Sequence, residues 1–217
     1  MTAVEVPVTI VVMAKAPMAG HVKTRLTPPC TPADAATIAR AALEDTVVAA
    51  LAAGCRRPVV AIDRPQLWRD ERVDVLAQRG DGLDERIAAV FAELPGSVLL
   101  VGMDTPQVAP STLRSAATRL VDGPEDAVLG RAPDGGFWAV GLRVSDPRPF
   151  LGVPMSTART GAVQRSRLDA HGYTVAELPQ VRDVDTWVDA CAVARAAPHT
   201  AFAAAVSAVH DRLTVRT

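Results

Sequence analysis

Apolar and polar positions alternate in two rhythms along this chain, short unbroken apolar runs and longer amphipathic stretches. Residues 8–13 form a largely β-branched run that ends in the loop Ala16-Pro17-Met18-Ala19-Gly20. A strand buried on both faces reads this way. Thr31 and Asp34 are then placed to cap a long helix reaching Ala52, its faces tracked by Ile38, Ala42, Asp45 and Ala49, with Gly54 as the stop. The alternation goes on to predict strands over 59–62, 73–78 and 98–101, and helices over 84–94 and 111–120. Strands over 127–129 and 137–142 flank the turn Pro133-Asp134-Gly135-Gly136, which suggests an antiparallel pair at one edge of the sheet. A helix over 157–170, a strand over 173–178, a helix over 186–196 and a last helical stretch from Pro198 toward His210 complete the pattern. Strand and helix in turn imply an α/β fold, a mostly parallel mixed sheet with helices on both faces.

Composition narrows this picture. With 217 residues, 49% of them hydrophobic, residues 1–217 are expected to form a single domain. The 23 basic and 24 acidic side chains nearly cancel, so neither a nucleic-acid footprint nor a polybasic membrane patch is expected, and a small-molecule partner is favoured. Cys30, Cys55 and Cys191 are far apart with no Cys-x-x-Cys pair, the pattern of reduced thiols in a cytoplasmic protein. Glu5 before the first apolar run and Lys15 after it argue against a signal peptide. Arg195, Pro198 and His199 break the Ala-rich tail well short of a spanning length, and no transmembrane segment is expected.

Chemistry concentrates in three places. After the first strand, residues 14–26 bring Gly20 and then two cations, Lys23 and Arg25. Glycine lets backbone amides approach an anion, and the two side chains are suited to neutralising a diphosphate, Arg as a planar fork and Lys as a point charge. The segment is not a Walker A loop, and no Gly-x-Gly-x-x-Gly follows the strand, so ATPase and dehydrogenase readings fall behind. Gly102-Met103-Asp104-Thr105-Pro106 ends a buried strand with one carboxylate at the ligand-binding edge of the sheet. Asp104 there is either a helix cap or a hard ligand for magnesium or manganese. Asp183-Val184-Asp185-Thr186 offers a second acidic position, with Asp185 as the metal ligand or a cap.

Lys23-Thr24-Arg25-Leu26, Gly102-Met103-Asp104-Thr105-Pro106, Asp134-Gly135-Gly136-Phe137-Trp138 and Asp183-Val184-Asp185-Thr186 together resemble the DUF2064 group of GT-A glycosyltransferase-like proteins. The likeness runs from about Ile10 to Asp189 and extends, more distantly, to 2-phospholactate and molybdenum cofactor guanylyltransferases. It implies a Rossmann-like GT-A three-layer fold, a nucleotide or nucleotide-sugar donor, a small-molecule acceptor and Mg2+ or Mn2+. On this resemblance Ala14, Lys15, Gly20, Lys23 and Arg25 hold the nucleotide and its phosphates, Lys23 acting also in catalysis. Gly82 and Arg86 lie along the base, Asp104 and Asp185 hold the metal, and Asp134 is the general base. Gly135, Gly136, Ser156 and Thr157 face the sugar or acceptor. Glycosyl transfer is the leading reading; nucleotidyl transfer with pyrophosphate release, or nucleotide binding without catalysis, are its rivals. This chain departs from relatives in carrying His21 before Val-Lys-Thr-Arg-Leu, Met155 where an aromatic residue is common, and no first Asp of a full Asp-x-Asp. All of it requires Arg25 and Asp104 to face one another across one crevice.

Overall fold

The computed structural model describes residues 5–214. Among them a seven-stranded sheet has the order β3-β2-β1-β4-β6-β5-β7. Its strands are β1 Val8–Ala14, β2 Val59–Ile62, β3 Asp74–Ala77, β4 Ser97–Gly102, β5 Ala127–Arg131, β6 Phe137–Leu142 and β7 Val175–Leu178. The helices are α1 Pro32–Ala52, α2 Leu83–Glu93, α3 Pro110–Asp122, α4 Thr160–Ala170, α5 Trp187–Ala196 and α6 Ala201–Thr214. β6 alone among the described strands runs against its neighbours, pairing antiparallel with both β4 and β5. This is the mixed, mostly parallel sheet that the sequence pattern implies, in a Rossmann-like GT-A arrangement. The antiparallel pair is not at an edge, however, because β7 adds on parallel to β5 and closes that side.

Period-two alternation in β1 feeds two cores. Val8, Ile10 and Val12 pack into the cluster beneath α1 and α3, whereas Val11 and Met13 join α2 and Leu168 of α4 on the opposite face. Helices therefore cover both faces. Phe91 and Phe150 stack with ring centroids 4.3 Å apart within the second cluster. A third cluster seats Phe202, Val206 and Val209 of α6, with Ala190 and Val193 of α5, on the outer side of α1. Buried on both sides, α1 has an apolar surface too wide to read as a simple amphipathic stripe.

Helix ends follow the expected chemistry. Thr31 and Asp34 close a reciprocal capping box on α1, and Gly54, at φ 70, follows its C-terminus. Thr186 and Asp189 repeat the box on α5. Predicted helix 157–170 begins instead at Thr160, since the Thr157 hydroxyl and backbone are engaged in a turn with Thr160 and Arg159. Strand 173–178 starts two residues late because Thr174 bonds through backbone and side chain to Asp126. No described helix is long and apolar enough to cross a membrane.

Candidate active site

Parallel strands deliver their C-terminal ends to one edge, and the loops leaving β1, β3, β4 and β7 meet there. They enclose a cleft of about 780 Å³, a size suited to a nucleotide-sized ligand. Because β6 runs the opposite way, its first residues, Phe137 and Trp138, reach the same edge together with the preceding turn.

The β1 loop forms one wall. Its start is fixed by Ala16 N–H donating to Asp63 Oδ1 at 2.7 Å and by Lys15 N–H reaching Met103 Sδ at 3.3 Å. Gln78 stitches the neighbouring strands, donating from Nε2 to the carbonyls of Ala14 at 2.7 Å and Ala61 at 2.9 Å. Lys23 then turns through a left-handed conformation, φ 50, rare for a residue with a side chain. That turn carries its ammonium inward, where it is almost fully buried, 2.7 Å from Asp104 Oδ1 and bonded also to the Val184 carbonyl. Arg25, which is mostly exposed, pairs with Asp185. The β1 loop, the end of β4 and the segment after β7 are thus joined across the cleft by two ion pairs. Of the residues read from sequence, Ala14, Lys15, Lys23, Arg25, Arg86, Asp104, Asp134, Gly136, Ser156, Thr157 and Asp185 line this one cleft, with Arg25 and Asp104 on it together.

Three predicted residues stand outside the lining, each for a backbone reason. Gly20, at φ 77, makes the turn in which His21 N–H returns to the Met18 carbonyl. Gly82 is the N-cap of α2, with its amide 3.5 Å from Glu85 Oε2. Gly135, at φ 91, lies so close to the segment leading into α4 that an added Cβ would meet the Ala158 carbonyl oxygen at 2.0 Å. Arg86 lines the cleft, but its guanidinium is turned back onto the carbonyls of Gly80 at 3.0 Å and Asp81 at 3.3 Å. Asp134 Oδ1 accepts from Gly136 N–H at 2.8 Å, a turn that fixes the carboxylate at the cleft mouth. Ser156 adopts φ 58, and it and Lys23 are the non-glycine positive-φ residues among those described. Both line the cleft, where backbone strain commonly accompanies a site.

Asp183 is the residue that sequence reading passed over in favour of Asp185. It lines the cleft, and burial, with Asp134 and Asp104 close by, pushes its carboxyl up to about 6 against the opposing pull of Lys23. Its signal was present as the first Asp of Asp-Val-Asp, but only the folded chain shows that it shares the cleft with the carboxylates of Asp104 and Asp134, distant in sequence, as well as with Asp185 and Asp81. Gln78 was likewise legible only as part of a Gly-rich segment.

Among the described residues no group of three or more His, Cys, Asp or Glu is arranged to hold a metal ion. The donor set is nevertheless of the right chemistry: Asp104 and Asp185 are hard oxygen ligands, and magnesium characteristically takes one or two carboxylates and completes its shell with phosphate oxygens and water. Asp104 is paired to Lys23 and Asp185 to Arg25.

Residues 35–157 match the family described as DUF2064, an uncharacterized protein conserved in bacteria, and the chain belongs to that family. Its fold is that of nucleotide-diphospho-sugar and nucleotidyl transferases. A Desulfovibrio desulfuricans G20 protein, provisionally described as a nucleotide-diphospho-sugar transferase, is 23% identical with a TM-score of 0.82, 95% of each chain being covered. Rv0371c of Mycobacterium tuberculosis H37Rv in complex with manganese is 22% identical with a TM-score of 0.52, covering 88% of this chain and 98% of the other. The synthetase of CMP:2-keto-3-deoxy-manno-octonic acid complexed with CTP is 15% identical with a TM-score of 0.56, again over 88% and 98%. No curated protein matches the chain.

Proposed function

We propose that this protein transfers a glycosyl group from a nucleotide-diphosphate sugar to a small-molecule acceptor. The observation that supports the reading most directly is Lys23, held by its left-handed turn with its ammonium inside the cleft and beside Asp104. A buried cation ion-paired to Asp104 inside the cleft is positioned to meet a further anion, and Arg25 stands next to it on the same loop.

In this reaction the bond between the anomeric carbon and the diphosphate oxygen breaks, and its electron pair leaves with the diphosphate. Lys23 and Arg25 stabilise that developing charge. The acceptor oxygen forms the new bond to the anomeric carbon, and its proton passes to Asp134. Gly136 N–H engages Oδ1 of Asp134, and Oδ2 is the oxygen that takes the proton. Asp104 and Asp185 are the residues that would hold Mg2+ or Mn2+, which when bound supplies electrostatic stabilisation of the diphosphate. Lys15 and Ala14 line the donor wall, and Ser156, Thr157 and Gly136 line the side that faces the sugar.

Incubation with a panel of nucleotide sugars and Mn2+, scored for free nucleoside diphosphate, tests the proposal. Pyrophosphate release from a nucleoside triphosphate in place of that product would assign nucleotidyl transfer. Tight nucleotide binding with no turnover of any donor would make the protein a nucleotide-binding module.

A further inference from the structure

Between β7 and α5 the chain carries no regular structure over residues 179–185, yet this stretch brings Asp183 and Asp185 to the cleft. Its place is therefore set by bonds to other elements. Trp138 Nε1 donates to the Pro179 carbonyl at 3.1 Å and Val181 N–H to the Arg131 carbonyl at 3.2 Å, which hold the start of the stretch against β5 and β6. Val184 is fully buried in the cluster on the outer side of α1, and its N–H donates to the Asp104 carbonyl at 2.9 Å. Three side chains add to this hold: Lys23 on the Val184 carbonyl, Arg25 on Asp185, and Gln107, whose Nε2 donates to the Arg182 carbonyl at 2.5 Å.

Gln107 differs from the other two. Lys23 and Arg25 line the cleft, whereas Gln107 lies outside the lining, in the connection between β4 and α3. There Val108 N–H donates to the Thr105 carbonyl at 3.1 Å, and Thr105 and Val108 are both buried, so the backbone under Gln107 is fixed. A carbonyl partner fixes the amide as well, because the NH2 side of the group must face Arg182. Its Oε1 is then buried with no partner among the described residues. An acceptor left in that state costs more than an ordinary neutral hydrogen bond returns, so stability alone is a poor account of the contact.

We infer that Gln107 is a positioning residue of the site: it seats residues 182–185 against the loop after β4 and so sets where Asp185 stands relative to Asp104. The inference rests on the proposed reaction, which gives those two carboxylates to the metal and Lys23 and Arg25 to the diphosphate. With a diphosphate bound, both cations divide their bonds between ligand and protein, and the hold of Gln107 is the side-chain hold on residues 182–185 that no ligand shares.

Three variants of the full chain test it. Gln107→Met removes the donor at similar size, Gln107→Glu keeps the shape but turns an acceptor toward the Arg182 carbonyl, and Gln107→Lys restores a donor. In the unliganded chain, exchange of the Val184 amide, followed by NMR, should quicken about tenfold in Gln107→Met and Gln107→Glu, the effect of one lost hydrogen bond, with the amides of β1 unchanged. Titration calorimetry then gives the affinity for inorganic pyrophosphate with and without Mn2+. The gain that manganese brings in the wild type should fall about tenfold in the same two variants, the usual cost of losing a group behind a metal ligand, while metal-free affinity stays within about twofold. Gln107→Lys should return both readings to wild type. Unchanged Val184 exchange in both variants overturns the inference. So does a manganese gain that keeps its wild-type size, or a loss equal with and without the metal, either of which makes Gln107 a packing residue. A wild type with no manganese gain rejects the metal assignment and the inference with it, an outcome distinct from failure of Gln107 alone, where the wild type keeps the gain.

Discussion

Lys23 and Asp104 show how much a single pair of side chains can decide at the scale of residues. The ammonium is nearly buried and the carboxylate is 40% exposed, so removing either leaves its partner's charge without the group that balances it. Asp104→Asn should abolish the manganese dependence of nucleotide binding, as read by titration calorimetry with and without the metal; unchanged dependence would make Asp104 a turn residue. Lys23→Ala should weaken nucleoside diphosphate by about 1.5–3 kcal/mol, the range for a hydrogen bond to a charged group, and nucleoside far less. Equal losses on both ligands would remove Lys23 from the phosphate site. Away from the cleft, the buried Asp146 carboxylate accepts bonds from Arg148 and from the Tyr173 hydroxyl, which hold it well below the usual carboxylate range, while burial, with the bond to Asp146, pushes the Tyr173 phenol up to about 12. A folded-state value depressed below the unfolded one contributes stability that is complete above about pH 4 and fades as the solution is acidified further. The melting-temperature difference between wild type and Asp146→Asn should therefore be largest near neutrality and shrink toward pH 2; a constant difference would locate the effect in packing.

At the scale of elements, the strands and helices were legible because each is bounded by chemistry that acts locally. The Thr31–Asp34 box, the glycine at 54 and the unbroken apolar run of β1 need no tertiary partner to be read. The position of the antiparallel pair was not legible, since nothing within residues 127–142 shows that β7 will add outside β5. The candidate site divides in the same manner. Lys23 and Arg25 lie in the loop that leaves a recognisable strand and Asp104 just past the end of another, whereas Asp183 gains its character from carboxylates distant in sequence, and the engagement of Arg86 with its own loop is invisible until the loop is folded. Gly135 and Gly161 define the packing of the 133–136 turn against α4: a Cβ at Gly161 would meet the Gly136 carbonyl oxygen at 2.6 Å. Gly135→Ala combines such a clash with a left-handed backbone and should lower the melting temperature by several degrees, beyond the roughly 1 kcal/mol of the backbone preference alone. A melting temperature within a degree of wild type would show that the turn can move away from the helix.

Across the whole molecule, α5 and α6 wrap the outer side of α1 and so fasten the segment that follows Asp183 and Asp185 to the helix that follows the β1 loop. Phe202, fully buried in that contact, is the anchor, and Phe202→Ala should cost about 3–5 kcal/mol in denaturant unfolding. The same substitution should weaken diphosphate binding only through the folded fraction, which calorimetry on the refolded variant can separate.

Reversal of one strand has a further consequence for how such a protein diversifies. Chain leaving β1, β3 and β4 lines part of the cleft and chain around β6 and the start of α4 lines the rest, so the lining is encoded in separate stretches before residue 105 and after residue 130, with the 183–185 segment returning to the β1 loop through Lys23 and Arg25. Under the proposed glycosyl transfer, exchanging residues 132–136 and 153–159 between homologues is expected to change which recipient molecule is accepted while the loop after β1 stays as it is.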